Sequence, residues 1–194
     1  FSQNRWASRI GPTVEGPSSC EGPNVLGGGD KMSDGCALLV FPHQLFKDHP
    51  GLKENPSTVI LLEDNLFFGD PQYPAAFHKQ KLWLHRATMK RYASVLAEKG
   101  LNVEYAEHTP KQSVLKKCLK TQVRKKCSKI VAARPHDFEL SRRLQTHCTK
   151  LGLELELLDT PMFLNTSAEN SNYRSSKKRW YMADFYKFQR KRLD

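Results

Sequence analysis

The first regular segment of the chain reads Cys36-Ala37-Leu38-Leu39-Val40-Phe41 and contains no charged or hydroxyl side chain. A short, continuous apolar run of this kind is typical of a strand buried on both faces in a parallel sheet. The segment Thr58-Val59-Ile60-Leu61-Leu62-Glu63 is a second such run. The two runs therefore predict strands inside a sheet that is covered by helices.

Beyond these runs, strand-like and helix-like segments alternate. Further strands are predicted at residues 101–106, 129–133 and 153–158, and helices at residues 78–99, 110–127 and 136–151. Gly100 and Gly152 stand where helices commonly end, and Thr109 is a candidate cap for the second helix. Such alternation requires right-handed crossovers between parallel strands. We predict an α/β fold: a doubly wound five-stranded parallel sheet with helices on both faces.

The chain divides into three parts by composition. Residues 1–34 are rich in Ser, Gly and Pro and are predicted to be a disordered leader, either an ordinary flexible terminus or the remnant of an organellar transit peptide. Residues 35–160 are the predicted α/β domain. Residues 161–194 are predicted to be a loop, polar from 165 to 176, followed by an aromatic and basic helix at 177–193 that begins a connection to a further domain. Because the chain begins with Phe1, we expect a fragment or a processed product.

The positive charge of the chain is concentrated. The net charge is +11, and residues 111–150 contain twelve Lys or Arg but only Asp137 and Glu139 as acids. Such a balance suits a polyanion such as DNA, although a solvated surface or a contact with an acidic neighbouring domain also explains it. No aromatic residue interrupts residues 111–130, which counts against DNA contact by this segment, because a platform for base stacking would need such residues.

The cysteines and the hydropathy restrict the class of protein. The five cysteines form no Cys-x-x-Cys pair, so no metal site is expected, and a reducing compartment, the cytoplasm or an organelle, fits best. No apolar run approaches the roughly 20 residues of a membrane helix, so a soluble chain is predicted.

Motifs of self-contained enzymes are missing from the sequence. Neither a Gly-x-Gly-x-x-Gly nor a P-loop follows a predicted strand, and Gly27-Gly28-Gly29 precedes the first one. Gly-x-Ser-x-Gly and His-Glu-x-x-His are absent as well. We therefore assign no catalytic residue and expect a binding role.

Polar and aromatic side chains follow the first two predicted strands and open the first long helix. Parallel strands place these positions at one edge of the sheet, where α/β proteins bind ligands. Flat rings beside a few hydrogen-bonding groups suit a planar heteroaromatic molecule. A solvated basic face, ordinary packing of the two phenylalanines, or salt bridges from the helix to Glu63 or Asp64 are the alternatives. The candidate ligand-binding residues are His43, Gln44, Leu45, Glu63, Phe67, Phe68, His78, Lys81, His85 and Arg86.

Five segments, in order along the chain, resemble the photolyase-related family, the iron–sulfur bacterial cryptochromes and (6-4) photolyases. They are Phe-Pro-His-Gln-Leu-Phe at 41–46, Ile-Leu-Leu-Glu-Asp-Asn-Leu-Phe-Phe at 60–68, Phe-His-Lys-Gln-Lys-Leu at 77–82 with Leu-His-Arg-Ala-Thr-Met at 84–89, Pro-Met-Phe-Leu at 161–164, and Phe-Tyr-Lys-Phe-Gln-Arg-Lys-Arg-Leu at 185–193. The resemblance covers roughly residues 36–194.

The resemblance implies a role for the candidate residues. In this family a Rossmann-like amino-terminal domain holds an antenna chromophore, 6,7-dimethyl-8-ribityllumazine. A separate helical domain, not in this sequence, carries FAD and a [4Fe-4S] cluster and contacts DNA, for light-driven repair or blue-light sensing. Many members have Gly-Asp-Gln-Leu where this chain has Pro42-His43-Gln44-Leu45. The loss of that acid and glycine bears directly on which antenna is bound.

Two other classes of function remain open from the sequence. A stand-alone nucleotide-binding module of the universal-stress type would need a glycine-rich loop after a late strand, and Arg134-Pro135-His136-Asp137 contains no glycine. A nucleic-acid-binding module would rely on the basic segment 111–129.

Overall fold

The predicted strands form one sheet. The structure, a computed structural model, describes residues 35–193; the predicted disordered leader at residues 1–34 lies outside them. The strands are β1 Gly35–Val40, β2 Thr58–Leu62, β3 Val103–Ala106, β4 Cys127–Ala133 and β5 Glu154–Leu158. The helices are α1 Asn65–Phe68, α2 Lys79–Glu98, α3 Val114–Arg124, α4 Phe138–Leu151, α5 Ser167–Ser175 and α6 Met182–Leu193, with a 3-10 helix at Pro50–Glu54.

All strand pairs in the sheet are parallel, and their order is β3-β2-β1-β4-β5. Leu39 of β1 lies opposite Ile60 of β2 and Ala132 of β4. From β1 the chain adds β2 and β3 on one side of the sheet. It then returns to the other side of β1 and adds β4 and β5. The predicted doubly wound sheet is confirmed, and its strand order places the topological switch point between β1 and β4.

Two apolar layers cover the sheet, one on each face. Leu39, Ile60 and Ile130 point to the face that α3 and α4 cover with residues such as Leu119 and Leu144. Alternate strand residues point to the other face, which α2 covers chiefly with Met89 and Leu96. Each central strand is therefore apolar on both sides, which explains its continuous apolar sequence.

The second long helix is shorter than predicted at both ends. Lys111 adopts a left-handed φ of 64°, and α3 begins only after Ser113, whose side chain accepts a hydrogen bond from the Lys116 amide. Thr109 is thus not the cap, contrary to the sequence prediction. At the other end Lys126 has a φ of 59°, and Cys127 belongs to β4 and not to the helix.

The polar segment predicted to be a loop contains helix α5. Thr166 and Glu169 form a reciprocal capping box, in which the Thr166 hydroxyl accepts from the Glu169 amide and the Glu169 carboxylate accepts from the Thr166 amide. The following helix begins at Met182 and not at residue 177. The ring of Tyr173 in α5 lies 5.0 Å from Phe185 and 4.7 Å from Phe188 in α6, which packs the two helices together.

Among the described residues, no helix has both the length and the hydrophobicity to cross a membrane. The thiols of Cys36, Cys118, Cys127 and Cys148 are all free.

Candidate functional site

The loops that follow β1 and β4 meet at the switch point. The Gln44 Nε2 donates a hydrogen bond to the carbonyl oxygen of Ala133, the last residue of β4, at 2.8 Å. Beside this bond the rings of His43 and His136 meet edge to face, with their centroids 4.6 Å apart. One loop thus supplies an amide and an imidazole, and the other supplies a second imidazole.

Six aromatic rings continue from this point along the carboxyl edge of the sheet, which we call the rim. Consecutive ring centroids are separated by 4.6, 5.0, 6.1, 6.1 and 6.0 Å. These distances lie within the range of favourable aromatic pairs. The rings, in order, belong to His136, His43, Phe67, His85, Phe68 and His108.

Hydrogen-bonding atoms without partners are concentrated in two neighbouring residues of the rim. Neither ring nitrogen of His43 has a partner in the described part of the chain, although both are buried. The same is true of Oε1 of Gln44, a residue with no exposed surface. Buried polar atoms are normally paired, and an unpaired one often marks a place for a water or a ligand.

The charge state of His43 follows from its surroundings. Burial, and after it the nearby imidazole of His136, lower its pKa to about 4, while Asp137 opposes the shift. The ring is therefore neutral at pH 7, with one nitrogen that donates and one that accepts. A neutral imidazole can meet both the donor and the acceptor edge of a heteroaromatic ligand.

The carboxylate of Glu63 has all its partners inside the protein. Its Oε1 accepts from Arg86 Nε at 2.7 Å and from the Tyr105 hydroxyl at 2.8 Å, and its Oε2 accepts from Arg86 Nη2 and from the His108 amide. Burial alone would raise the pKa of Glu63, but these hydrogen bonds outweigh burial and hold it below its ordinary value. The salt bridge from Arg86, one of the alternatives for this helix, is present.

The remaining predicted residues are distributed around the rim. His78 is exposed and caps α2, its Nδ1 accepting from the Gln80 amide at 3.3 Å. Lys81 is exposed, with its Nζ 4.2 Å above the centre of the Phe77 ring. Leu45 packs against the apolar layer beneath α2. Of the ten residues, the structure brings His43, Gln44, Phe67, Phe68 and His85 together.

Sequence reasoning missed the contribution of the loops after β3 and β4. His108 and His136 end the row of rings, and Tyr105 completes the set of donors around Glu63. His136 lies in a loop that the sequence analysis considered only as a phosphate-binding loop. Extending the argument about strand ends to every parallel strand would have included all three positions.

A cleft opens beside His136 at the carboxyl ends of β4 and β5. Its volume is about 280 Å³. Arg134, Asp159, Phe163, Asn165 and Asn170 are among the residues that line it. The wall combines the rings of His136 and Phe163 with amide and charged groups, as a site for a flat molecule with a polar tail requires.

The start of α4 is unsuited to phosphate. Asp137 caps this helix through a hydrogen bond from the Leu140 amide to its Oδ1, and Glu139 occupies the first turn. Two carboxylates at the positive end of a helix repel an anion that would otherwise bind there.

The fold and the site define a class of protein: a Rossmann-like α/β domain with an aromatic, polar rim at its topological switch point. The family model of deoxyribodipyrimidine photo-lyase-related proteins matches residues 38–194, and the chain belongs to this family. The chain is also similar to the uncharacterised protein R852 of Acanthamoeba polyphaga mimivirus. The two are 27% identical over 163 residues, which cover 80% of this chain and 82% of the viral protein.

Proposed function

We propose that residues 35–160 are the antenna domain of a photolyase-related protein and bind a planar chromophore at the rim. The chromophore we propose is 6,7-dimethyl-8-ribityllumazine. The observation that carries the proposal is the coincidence of three buried, unpartnered polar atoms, in His43 and Gln44, with the row of rings at the switch point. Membership of the photo-lyase-related family supports it.

The chemistry of the rim fits the proposed ligand. The edge of a lumazine ring presents both a donor and carbonyl acceptors, which neutral His43 and Gln44 Oε1 can satisfy. The rings of Phe67 and His85, whose centroids are 6.1 Å apart, would cover that edge. The cleft beside His136 offers the amides of Asn165 and Asn170 to a polyol tail. When bound, the chromophore would absorb light and pass its excitation to a flavin.

Glu63 has a different role in this proposal from the one predicted by sequence. Its carboxylate already accepts four hydrogen bonds, so it has little capacity left for a ligand. We propose that Glu63 and Arg86 position α2, and with it His85, at the rim. His78 and Lys81 are exposed and would contact the ligand only at its outer side.

The same proposal includes the subgroup of the family to which the protein belongs. A full-length protein of the iron–sulfur cryptochrome or (6-4) photolyase type would carry FAD and [4Fe-4S] in a helical domain connected through residues 161–194. Such a protein would repair DNA with light or sense blue light. The family match over residues 38–194 supports the coarser assignment to the photo-lyase-related proteins, from which this proposal starts.

Reconstitution of the purified chain tests the binding role. We expect 6,7-dimethyl-8-ribityllumazine to shift in absorbance and to gain fluorescence polarisation when the chain is added. The variant His43→Phe keeps a ring in the row but removes both nitrogens, so we expect about tenfold weaker binding, since a lost hydrogen bond to a buried group costs about 1–2 kcal/mol. The variant His147→Phe makes the same change on α4, away from the rim, and should bind as the wild type does.

Other ligands decide between the proposal and its alternatives. FAD and riboflavin test whether the rim prefers a different heteroaromatic ring, and ATP tests the nucleotide-binding module. Tight ATP binding without lumazine uptake would favour the nucleotide-binding module. We expect weak ATP binding, because the acidic start of α4 repels phosphate. Uptake that is unchanged in both His43→Phe and Phe67→Ala would contradict a site at the rim.

A further inference from the structure

The outer side of helix α3 carries an unusual excess of positive charge. Residues 111–136 contain nine Lys or Arg and no Asp or Glu. The inner side of α3 is buried through residues such as Leu115 and Leu119, so the basic side chains are confined to the outside. We call this outer side, with the residues that flank it, the basic face; its members are Lys111, Lys116, Lys117, Lys120, Arg124 and Lys126.

Acids do not neutralise the basic face. None of its six members forms an ion pair with any of residues 35–193, whereas the neighbouring Lys125 and Lys129 are paired with Glu104 and Glu156. The arginines of α4 are also paired, since Arg142 and Arg143 both contact Glu139. The six cations of the basic face thus keep their charge without acidic partners, beside residues of β4 and α4 that are paired.

The positive field of the basic face reaches the adjacent helix α4. Burial is the first cause that lowers the pKa of His147, and the positive charges of Lys116 and Lys150 lower it further. Lys116 on α3 and Lys150 on α4 thus act on the same ring. The two helices pack side by side on one face of the sheet, so their outward cations form a continuous surface.

The spacing of the charges suits a regular polyanion. Lys116, Lys120 and Arg124 are four residues apart and lie along one stripe of the helix. With a rise of 1.5 Å per residue, successive members are separated by about 6 Å. Neighbouring phosphates of one B-DNA strand rise by about 3.4 Å along the duplex axis and also step around it, so the distance between them is roughly 6–7 Å. A strand that follows the helix could therefore contact all three cations.

The composition of the face favours nucleic acid over an acidic protein. Protein interfaces are enriched in aromatic residues and depleted of lysine. Here the outer side of α3 is mostly lysine, and Val123 is the one large apolar residue of the helix that is exposed. Residues 111–130 contain no aromatic ring on which single-stranded bases could stack, so a duplex fits better than a single strand.

We propose that the basic face of α3 docks on the phosphate backbone of double-stranded nucleic acid without reading its bases. The helix begins near the rim, where β3 ends, and runs along the covered face of the sheet away from it. The proposed contact therefore uses residues separate from His43 and Gln44. The proposal does not depend on the chromophore.

Binding of the chain to a labelled duplex of random sequence, followed by fluorescence anisotropy, tests this surface. The logarithm of the affinity should fall linearly with the logarithm of the salt concentration, by about 0.9 for each phosphate contacted. The triple variant Lys116→Gln/Lys120→Gln/Arg124→Gln should reduce this slope by about 2–3 and weaken binding at least tenfold at about 50 mM salt. Duplexes of different sequence should bind alike.

A matched triple variant separates a docking surface from net charge. Lys47→Gln/Lys53→Gln/Lys99→Gln removes the same number of charges from exposed positions outside α3 and should bind within twofold of the wild type. Circular dichroism melts confirm that both variants fold. Equal weakening in the two variants, or no binding of duplex at low salt, would overturn the proposal. Equally tight binding to poly-glutamate would overturn it too, because the face would then accept any acidic chain.

Discussion

Arg86 holds the carboxylate of Glu63 through two parallel hydrogen bonds, from Nε to Oε1 at 2.7 Å and from Nη2 to Oε2 at 2.5 Å. The glutamate side chain is completely buried at the end of β2, while about half of the arginine side chain is exposed. A buried carboxylate without donors is strongly destabilising. The contact therefore attaches α2 to the sheet at the edge where the candidate site lies.

We expect Arg86→Met to lower the free energy of unfolding by about 2 kcal/mol, because Glu63 would lose two charged donors while remaining buried. Chemical denaturation measures the change. Lys90→Met is the matched control on the same helix. It breaks the exposed pair with Glu107 and should cost no more than about 0.5 kcal/mol. Equal losses in both variants would contradict a special role for the buried pair.

His49 should make stability depend on pH. Burial lowers its pKa to about 4, whereas the imidazole of an unfolded chain titrates near 6.5. Between these values the unfolded chain binds a proton that the native protein does not, so the contribution of His49 to stability is lost as the pH falls from about 6.5 to about 4. Asp64, whose pKa burial raises to about 6, acts in the opposite direction over much of this range.

The variant His49→Asn separates the contribution of His49 to the pH dependence of stability from that of Asp64. Asparagine can still accept from the Gly51 amide, as Nδ1 of His49 does, but it does not titrate. Between pH 7 and 4.5 the wild type should lose about 2 kcal/mol more unfolding free energy than the variant. His78→Asn, the same substitution at the exposed cap of α2, is the matched control. A similar slope in His49→Asn and the wild type would exclude His49 as its source.

Gly51 is required for close packing of the 3-10 helix on β1. A Cβ atom at this position would lie 2.3 Å from Cδ1 of Leu38, whose side chain is fully buried. We expect Gly51→Ala to cost about 1–3 kcal/mol, because the core must shift to relieve the overlap. At Gly35 the nearest atom is 3.4 Å away, so Gly35→Ala should be tolerated. Melting temperatures of the two variants compare the sites directly.

Replacing each candidate capping residue of α3 by alanine tests where this helix begins. Ser113→Ala removes the hydroxyl that accepts from the Lys116 amide at 3.2 Å and should cost about 1 kcal/mol. Thr109→Ala, at the position that the sequence suggested, should have a much smaller effect. The opposite ranking in thermal melts would place the start of the helix four residues earlier.

The alternation of strand-like and helix-like segments was sufficient to predict five strands and the three long helices between them, because the central strands β1 and β2 are buried on both faces and read as continuous apolar runs. The order of the strands could not be read in this way, since it depends on which faces pack together in space. The position of His136 beside His43 follows from that order. A pocket argued from β1 and β2 alone therefore missed the partner across the switch point.

The errors at the element boundaries have local causes. Lys111 and Lys126 adopt a left-handed backbone conformation, which the sequence usually signals by glycine. Because neither position is a glycine, the sequence predicts a helix that is too long at both ends. Helix α5 has few apolar residues and shows little periodicity. Its one signal in the sequence is the capping-box pattern, Thr166 followed three residues later by Glu169. The four partners of Glu63 come from distant segments, which spacing along the chain does not reveal.

The row of rings along the rim also makes the candidate site observable by proton NMR. An aromatic ring shifts the resonance of a proton above its face upfield and that of a proton at its edge downfield. The rings of His43, His85, His108 and His136 each lie against a different set of neighbouring rings, so the signals of their C2 protons should be dispersed without any label. A flat molecule that entered at one end of the row would shift the nearest imidazole first, and the order of the shifts would map its position residue by residue.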